Sequence, residues 1–221
     1  MLDTWTKVDE YLGDLLSPTD EDLEAALQAN EKAGLPPIDV SRLLGKFLNL
    51  LVRISGARRV LEIGTLGGYS TIWLARALPE GGRIVSLESD LHHADVATLN
   101  LHNAGVLDRV DMFIGQAIDS LPILEASGDG PFDLIFIDAD KESYAEYLDW
   151  SLKLSHPGTV IVADNVVRDG KVVEPDNADP RIQGVRRFNE RLAAEPRLSA
   201  TALQTVGPKG YDGFALAVVL R

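Results

Sequence analysis

The 221-residue chain contains no cysteine. That absence excludes a disulfide framework, a zinc–thiolate site and a thiol nucleophile. Basic charge is scarce as well: 21 Lys and Arg stand against 34 Asp and Glu, a formal net charge of −13. A surface built to neutralise nucleic-acid phosphates or to dock on an anionic membrane carries the opposite balance. Small molecules are therefore the expected partners, with no membrane and no nucleic acid. Long apolar runs are also missing. Stretches such as Phe214 to Leu220 fall far short of the roughly 20 residues that a membrane helix needs. The start MLDTWTKVDEYLGDLL lacks the basic region and apolar run of a signal peptide, so a cytoplasmic location is expected.

What remains is ordinary globular composition, 45% hydrophobic and 25% charged, with enough length for one sizeable core. A single domain over residues 1–221 is expected, divided into a helical cover (1–56) and an α/β core (57–221). In the cover, Thr19 and Asp20 read as the N-terminal cap of EDLEAALQANEKAG, with Gly34 as its stop. A second segment, Val40 to Ser55, places Leu43, Leu44, Phe47, Leu48, Leu51 and Val52 on one helical face.

From Arg58 onward the apolar runs RRVLEI, RIVSLE, RVDMFI, FDLIFID and TVIVAD alternate with helical stretches after Tyr69, from about Asp90, after Gln116 and through Tyr144 to Leu154. That alternation implies βαβ units and a parallel sheet with helices on both faces. The last two runs, LSATALQTV and FALAVVL, are separated only by GPKGYDG, which permits an antiparallel hairpin but no helical crossover. The loop from Arg168 to Pro180, rich in Asp, Gly and Pro, is expected to be mobile.

Four groups of residues carry chemistry. The turn Leu61-Glu62-Ile63-Gly64-Thr65-Leu66-Gly67-Gly68-Tyr69-Ser70 sits where the first strand meets a helix, and its glycines let a ligand approach the backbone. A dinucleotide fold would carry G-x-G-x-x-G there, but Glu62 replaces the first glycine. A carboxylate repels a pyrophosphate and suits a ligand with an ammonium and a sulfonium, such as S-adenosylmethionine; the bland alternative is a tight turn with an incidental acid. Glu88, ending RIVSLE, is placed to accept two ribose hydroxyls, or else caps the helix from Asp90.

The third group is Asp138-Ala139-Asp140-Lys141 after one strand and Asp164-Asn165 after another. Ligand sites in open α/β sheets lie beyond the carboxyl ends of the strands, so Asp138, Asp164 and Asn165 converge if those strands are neighbours. Three oxygen donors without His or Cys suit magnesium, with calcium or manganese as alternatives, better than zinc; the alternative leaves these acids solvated or paired with Lys141 and Arg168. Lys141, the fourth element, is close enough to Asp138 to act as general base or to stabilise a phenolate, unless it is a helix-start lysine paired with an acid. His92, His93, His102 and His156 lack metal-ligand spacing, and Tyr144, Tyr147 and Trp150, at three-residue spacing, read as core packing.

With these residues in place, the chain from about Ile38 onward resembles the cation-dependent O-methyltransferases, the family of the caffeoyl-CoA and catechol O-methyltransferases and their bacterial relatives. VLEIGTLGGYS, LIFIDADK, VADN followed by VVRDGKV, and RRFNERL resemble the family in order and spacing. The resemblance implies a Rossmann-like class I methyltransferase fold with a seven-stranded sheet, the last strand inserted antiparallel. It implies methyl-donor contacts at Val40, Glu62, Gly64, Thr65, Ser70, Glu88, Ala117 and Asp138, metal ligation by Asp138, Asp164 and Asn165, and Lys141 as the catalytic lysine beside Asp138. The implied acceptor is a catechol-like or caffeoyl-type aromatic diol, and the implied assembly a homodimer. Two departures stand out. Arg168 occupies a place where relatives carry tryptophan, pointing either to an acidic acceptor or to a salt bridge with Asp169 or Glu174, and Tyr211-Asp212-Gly213 replaces a more usual Gly-Asp-Gly. Rival readings are methylation of a hydroxylated tRNA base near Arg186, Arg187 and Arg191, a non-catalytic donor-binding protein, and a nicotinamide oxidoreductase.

Overall fold

The computed structural model describes residues 1–18 and 20–221. Three helices come first: α1 (Leu2–Leu16), α2 (Glu21–Lys32) and α3 (Arg42–Ser55). The Thr19 half of the expected cap lies outside the described residues. Asp20 caps α2, accepting the Leu23 amide at 3.1 Å, and Ser41 caps α3 through the Leu44 amide at 3.2 Å. Leu48 and Val52 of α3 are fully buried against the sheet. By contrast α1 buries only Gly13 and leaves Val8, Tyr11, Leu15 and Leu16 exposed.

The core contains β1 (Arg59–Ile63), α4 (Tyr69–Ala75), β2 (Arg83–Glu88), α5 (Leu91–Asn103), β3 (Val110–Ile114), α6 (Ala117–Ser127), β4 (Phe132–Ile137), α7 (Tyr144–Lys153), β5 (Ser155–Asp164), α8 (Pro180–Ala194), β6 (Leu198–Gly207) and β7 (Gly210–Val219). The seven strands lie in the order β3-β2-β1-β4-β5-β7-β6. The first five are parallel, and β7 runs antiparallel to both β5 and β6. This is the mostly parallel sheet with an antiparallel end, and the class I methyltransferase fold, that the sequence implies.

Both faces of the central strands are apolar, as a sheet covered on two sides requires. Leu61, Ile63, Ile135 and Ile137 pack with α6, α7 and α8, while Val60, Leu134, Phe136 and Val162 pack with α3, α4 and α5. Side chains alternate across each strand, so one run of sequence feeds two cores. The chain order reverses between β1 and β4, opening a crevice above their carboxyl ends.

The structure adds to the reading of the sequence at three places. Helix α8 occupies a stretch to which no element was assigned; Asp179 caps it through the Arg181 amide, Pro180 takes its first turn, and Ile182, Val185 and Phe188 are buried. Strand β5 reaches back to Ser155, and β7 begins at Gly210. The hairpin turn is thereby reduced to Pro208 and Lys209, between the paired residues Gly207 and Gly210. Within the loop 168–180, Arg168, Asp169 and Gly170 all have positive φ and lead into a single 3-10 turn, Lys171–Val173.

Candidate functional site

Strand β1 ends at Ile63 and the chain turns at Gly64, whose φ is +101°. A Cβ there would lie 2.2 Å from the Asp138 carbonyl oxygen, so only glycine lets this turn pack against the end of β4. Above it opens a cavity of about 650 Å³ whose walls include Val40, Gly64, Thr65, Ser70, Glu88, Ala117 and Asp138. Every expected donor contact except Glu62 thus faces one space.

Glu62 stands behind that wall, fully buried. Its carboxylate accepts the hydroxyls of Ser70 at 2.6 Å, Thr71 at 2.5 Å and Ser86 at 2.7 Å. Burial pushes its carboxyl up to about 7, outweighing the three hydrogen bonds that favour the ionised form. Glu62 therefore clamps the first turn of α4 to β1 and β2, with Ser70 between it and the cavity. Glu88 ends β2, beside β1. One of its oxygens accepts the amides of Thr65 at 3.2 Å and Leu66 at 2.7 Å, and the other accepts that of Asp90 at 3.0 Å. The cap of α5 is Asp90 itself, which leaves Glu88 to brace the glycine turn and to face the cavity.

Ile137 of β4 pairs with Ala163 of β5 in parallel register. Asp138 and Asp164 consequently follow neighbouring strands at one level, with backbones about 5 Å apart. Burial, then the negative charge of Asp138, pushes the Asp164 carboxyl up to about 7. Asn165 sits in the left-handed region at φ +58° and faces the cavity. Lys141, buried in a 3-10 turn, donates to Asp138 at 2.7 Å and to the Tyr144 hydroxyl at 2.6 Å. So Lys141 does pair with an acid, and that acid is the one expected to serve both donor and metal. Its turn is packed by α8: a Cβ on Gly184 would lie 2.1 Å from the Lys141 carbonyl oxygen.

Among the described residues no three His, Asp or Glu side chains are gathered as a metal ion would need, and the expected set of two carboxylates and one amide has to be judged on its own chemistry. Two acids at adjoining strand ends, Asp164 buried and Asp138 half-buried, repel each other, Lys141 pairs with Asp138, and Asn165 offers an amide oxygen beside them. That oxygen-only set fits a hard divalent cation.

Sequence reasoning missed several residues here. Tyr144 was assigned to core packing, and its ring is fully buried, yet its hydroxyl meets Lys141 and shares its proton between the carbonyls of Asp164 at 3.0 Å and Ile137 at 3.2 Å. Tyr147 also lines the cavity, donating to Asp140. Asp39 lines both this cavity and a neighbouring one, where Lys209 joins it. Spacing offered no signal for either residue, because they come from opposite ends of the chain.

The two departures prove to be neighbours. Arg168 meets neither Asp169 nor Glu174; its guanidinium lies 3.7 Å from Asp212. One oxygen of Asp212 also accepts the amides of Val167 at 3.0 Å, Arg168 at 2.8 Å and Gly213 at 3.0 Å. Of the three arginines, Arg186 bonds the Val172 carbonyl and lies 3.7 Å from Glu190, Arg191 pairs with Asp149 at 2.9 Å and Glu195 at 3.0 Å, and the exposed Arg187 bonds the Glu142 carbonyl at 3.0 Å. His156 pairs with Asp133 at 2.9 Å and His92 with the Ala33 carbonyl at 3.0 Å, whereas His93 lines the donor cavity, 3.5 Å from Glu88. Among the described residues no helix is long and apolar enough to cross a membrane.

Comparison with known proteins agrees with this geometry. A family model described as O-methyltransferase matches residues 17–218. A catechol O-methyltransferase of Niastella koreensis is 54% identical over 212 residues, covering 96% of each chain. The crystal structure of an O-methyltransferase from Bacillus cereus in complex with SAH superposes with a TM-score of 0.98 at 60% identity, over 99% of this chain and 100% of that one. The O-methyltransferase TomG from Streptomyces achromogenes, in complex with SAM, gives a TM-score of 0.96 at 50% identity over 100% and 99%.

Proposed function

The chain belongs to the O-methyltransferase family whose model spans residues 17–218, and we propose that it moves the methyl group of S-adenosylmethionine to one hydroxyl of a catechol-type aromatic diol in a reaction that depends on a divalent cation. The observation that carries this reading is the convergence of Asp138, Lys141, Asp164 and Asn165 at one edge of the donor cavity. The relative named catechol O-methyltransferase, alike over 96% of its length, supports the choice of acceptor.

In this reading the donor lies along the cavity over the glycine turn, its ribose hydroxyls on Glu88 and its charged end between Val40, Ser70 and Asp138. Glu62 contributes by fixing Ser70 and the turn. Asp138, Asp164 and Asn165 would hold the cation, magnesium first, which supplies Lewis-acid chemistry that lowers the pKa of a bound hydroxyl. Lys141 takes the hydroxyl proton or stabilises the phenolate from its seat on Asp138 and Tyr144. Methyl transfer to the aligned oxygen needs no covalent enzyme intermediate, and positioning supplies most of the acceleration. The exposed apolar side chains of α1 provide a surface for a homodimer, checked by light scattering, and a cytoplasmic location agrees with this chemistry.

The test is production of S-adenosylhomocysteine from catechols and caffeoyl esters, with magnesium compared against chelator. Turnover that appears only with metal is the expected result. Turnover indifferent to chelator removes the cation, and donor binding without methylation of any diol removes the acceptor.

A further inference from the structure

Beside the donor cavity lies a second, of about 370 Å³, which Asp164 and Asn165 join from one side and the β6–β7 hairpin from another. The two cavities share Ile38, Asp39, Val40 and Asn165. An acceptor whose diol end lies at the edge of the donor cavity, on the side of Asp164 and Asn165, therefore directs its ring substituent into this second space. Leu44, Phe47 and Phe214 give it an apolar wall, with the two phenylalanine rings 4.9 Å apart.

Its charged groups fall into two sets. Asp164 faces Asp138 and Lys141, and Asp212 is taken up by three backbone amides and Arg168. Asp9, Asp39 and Lys209 remain. Asp39 is held in place from behind: Asn30 donates to it at 2.9 Å, and Asn100 donates to Asn30 at 2.9 Å, with both asparagines buried. Burial raises the Asp39 carboxyl above its ordinary value and lowers the Lys209 ammonium below its own. Arg42, the base nearest Asp9, is already paired with Asp14 at 2.7 Å. Lys209 stands at the hairpin turn, and among the described residues it has no salt-bridge partner within 4.0 Å. Charges of both signs thus line one end of the cavity, Asp9 and Asp39 half-buried and Lys209 exposed at the turn, incompletely paired, an arrangement that favours a ligand able to pair them.

We propose that the acceptor is an aromatic diol bearing an α-amino-acid group, its ammonium received by Asp39 and Asp9 and its carboxylate by Lys209. This rests on the diol reading given above and narrows it. A carboxylate alone would enter beside Asp9 and Asp39, and an amine alone would set a second cation against Lys209. Either opposes part of the field that a zwitterion satisfies in full.

The probes are catechol, dihydroxyphenylacetate, dihydroxyphenethylamine and dihydroxyphenylalanine, which vary the two charges independently. With the full-length enzyme, S-adenosylmethionine and magnesium, kcat/KM for dihydroxyphenylalanine is expected to exceed that for each of the others by about tenfold or more, the effect of one well-paired charge. Asp39→Asn should shrink the advantage of the amine-bearing probes over catechol, and Lys209→Met that of the carboxylate-bearing ones, with Lys209→Arg restoring the latter. Catechol or the lone acid used as well as the zwitterion overturns the proposal, as does an unchanged order in both variants. If none of the four is methylated while the donor still binds by titration, the diol reading itself falls and takes this one with it.

Discussion

Lys141 donates to the Tyr144 hydroxyl at 2.6 Å, and that hydroxyl is anchored on carbonyls at the ends of β4 and β5. The ammonium is thus tied to the same two strand ends that present Asp138 and Asp164. Lys141→Met should lower kcat by about 10²–10⁴-fold, the range for a lost acid–base group, while donor binding measured by calorimetry persists. Tyr144→Phe, which leaves Lys141 with one anchor, should lower kcat less. A Lys141→Met enzyme within threefold of wild type would remove the lysine from the proton transfer.

Asp138 lines the donor cavity and pairs with Lys141, and on the proposed reading it also holds the cation, so its loss is expected to be felt by all three. Asp138→Ala should abolish magnesium-dependent turnover and weaken manganese binding followed by electron paramagnetic resonance. Manganese bound as tightly as by wild type would place the cation elsewhere.

Glu62 gives a signature in stability rather than in rate. Its folded carboxyl is raised from 4.5 to about 7 by burial, so between those values the folded protein holds a proton that unfolding releases. Raising the pH through this window therefore destabilises the native state, by about 3 kcal/mol at most for a shift of this size. The stabilisation is complete below about pH 4.5 and gone above about 7. Glu62→Gln removes the group, so the Tm difference between donor-free wild type and variant should drift in the variant's favour from pH 5 to pH 8. A difference constant across that range would count against the raised carboxyl.

Asp212 holds the left-handed turn at Arg168 and Asp169 through three backbone amides. Asp212→Ala strands those donors, and the expected loss is about 1–3 kcal/mol, seen as a Tm lower by several degrees. Arg168→Leu leaves the amides satisfied and should cost less. Equal losses from the two variants would show that the ion pair, rather than the amide contacts, holds the loop.

Period and punctuation made most of the fold legible. The runs RVLEI, RIVSLE and FDLIFI are largely apolar, buried on both faces and bounded by turns, and the short link before Phe214 forced an antiparallel return. Helix α8 was readable too, from Asp179 and Pro180 at its start and the spacing of Ile182, Val185 and Phe188, but its many charged residues masked that pattern. Side-chain direction was not legible. Glu62 follows a strand period that turns it toward Ser70, Thr71 and Ser86, partners on two other elements. The Asp212 partner of Arg168 is separated from it by the whole of α8 and β6, a distance no local pattern spans. Asp39 and Lys209 are neighbours only because α2 and the hairpin fold over the same crevice.

That last arrangement divides the molecule by role. The walls unique to the donor cavity come from the middle of the chain, around Gly64, Glu88, Ala117 and Asp138, whereas the second cavity is built mainly from Asp9 and the start of α3 on one side and the β6–β7 hairpin on the other. Exchanging the terminal segments between two such enzymes would transplant acceptor preference as a unit, while the methyl-donor half changes only along the shared wall at Ile38, Asp39 and Val40.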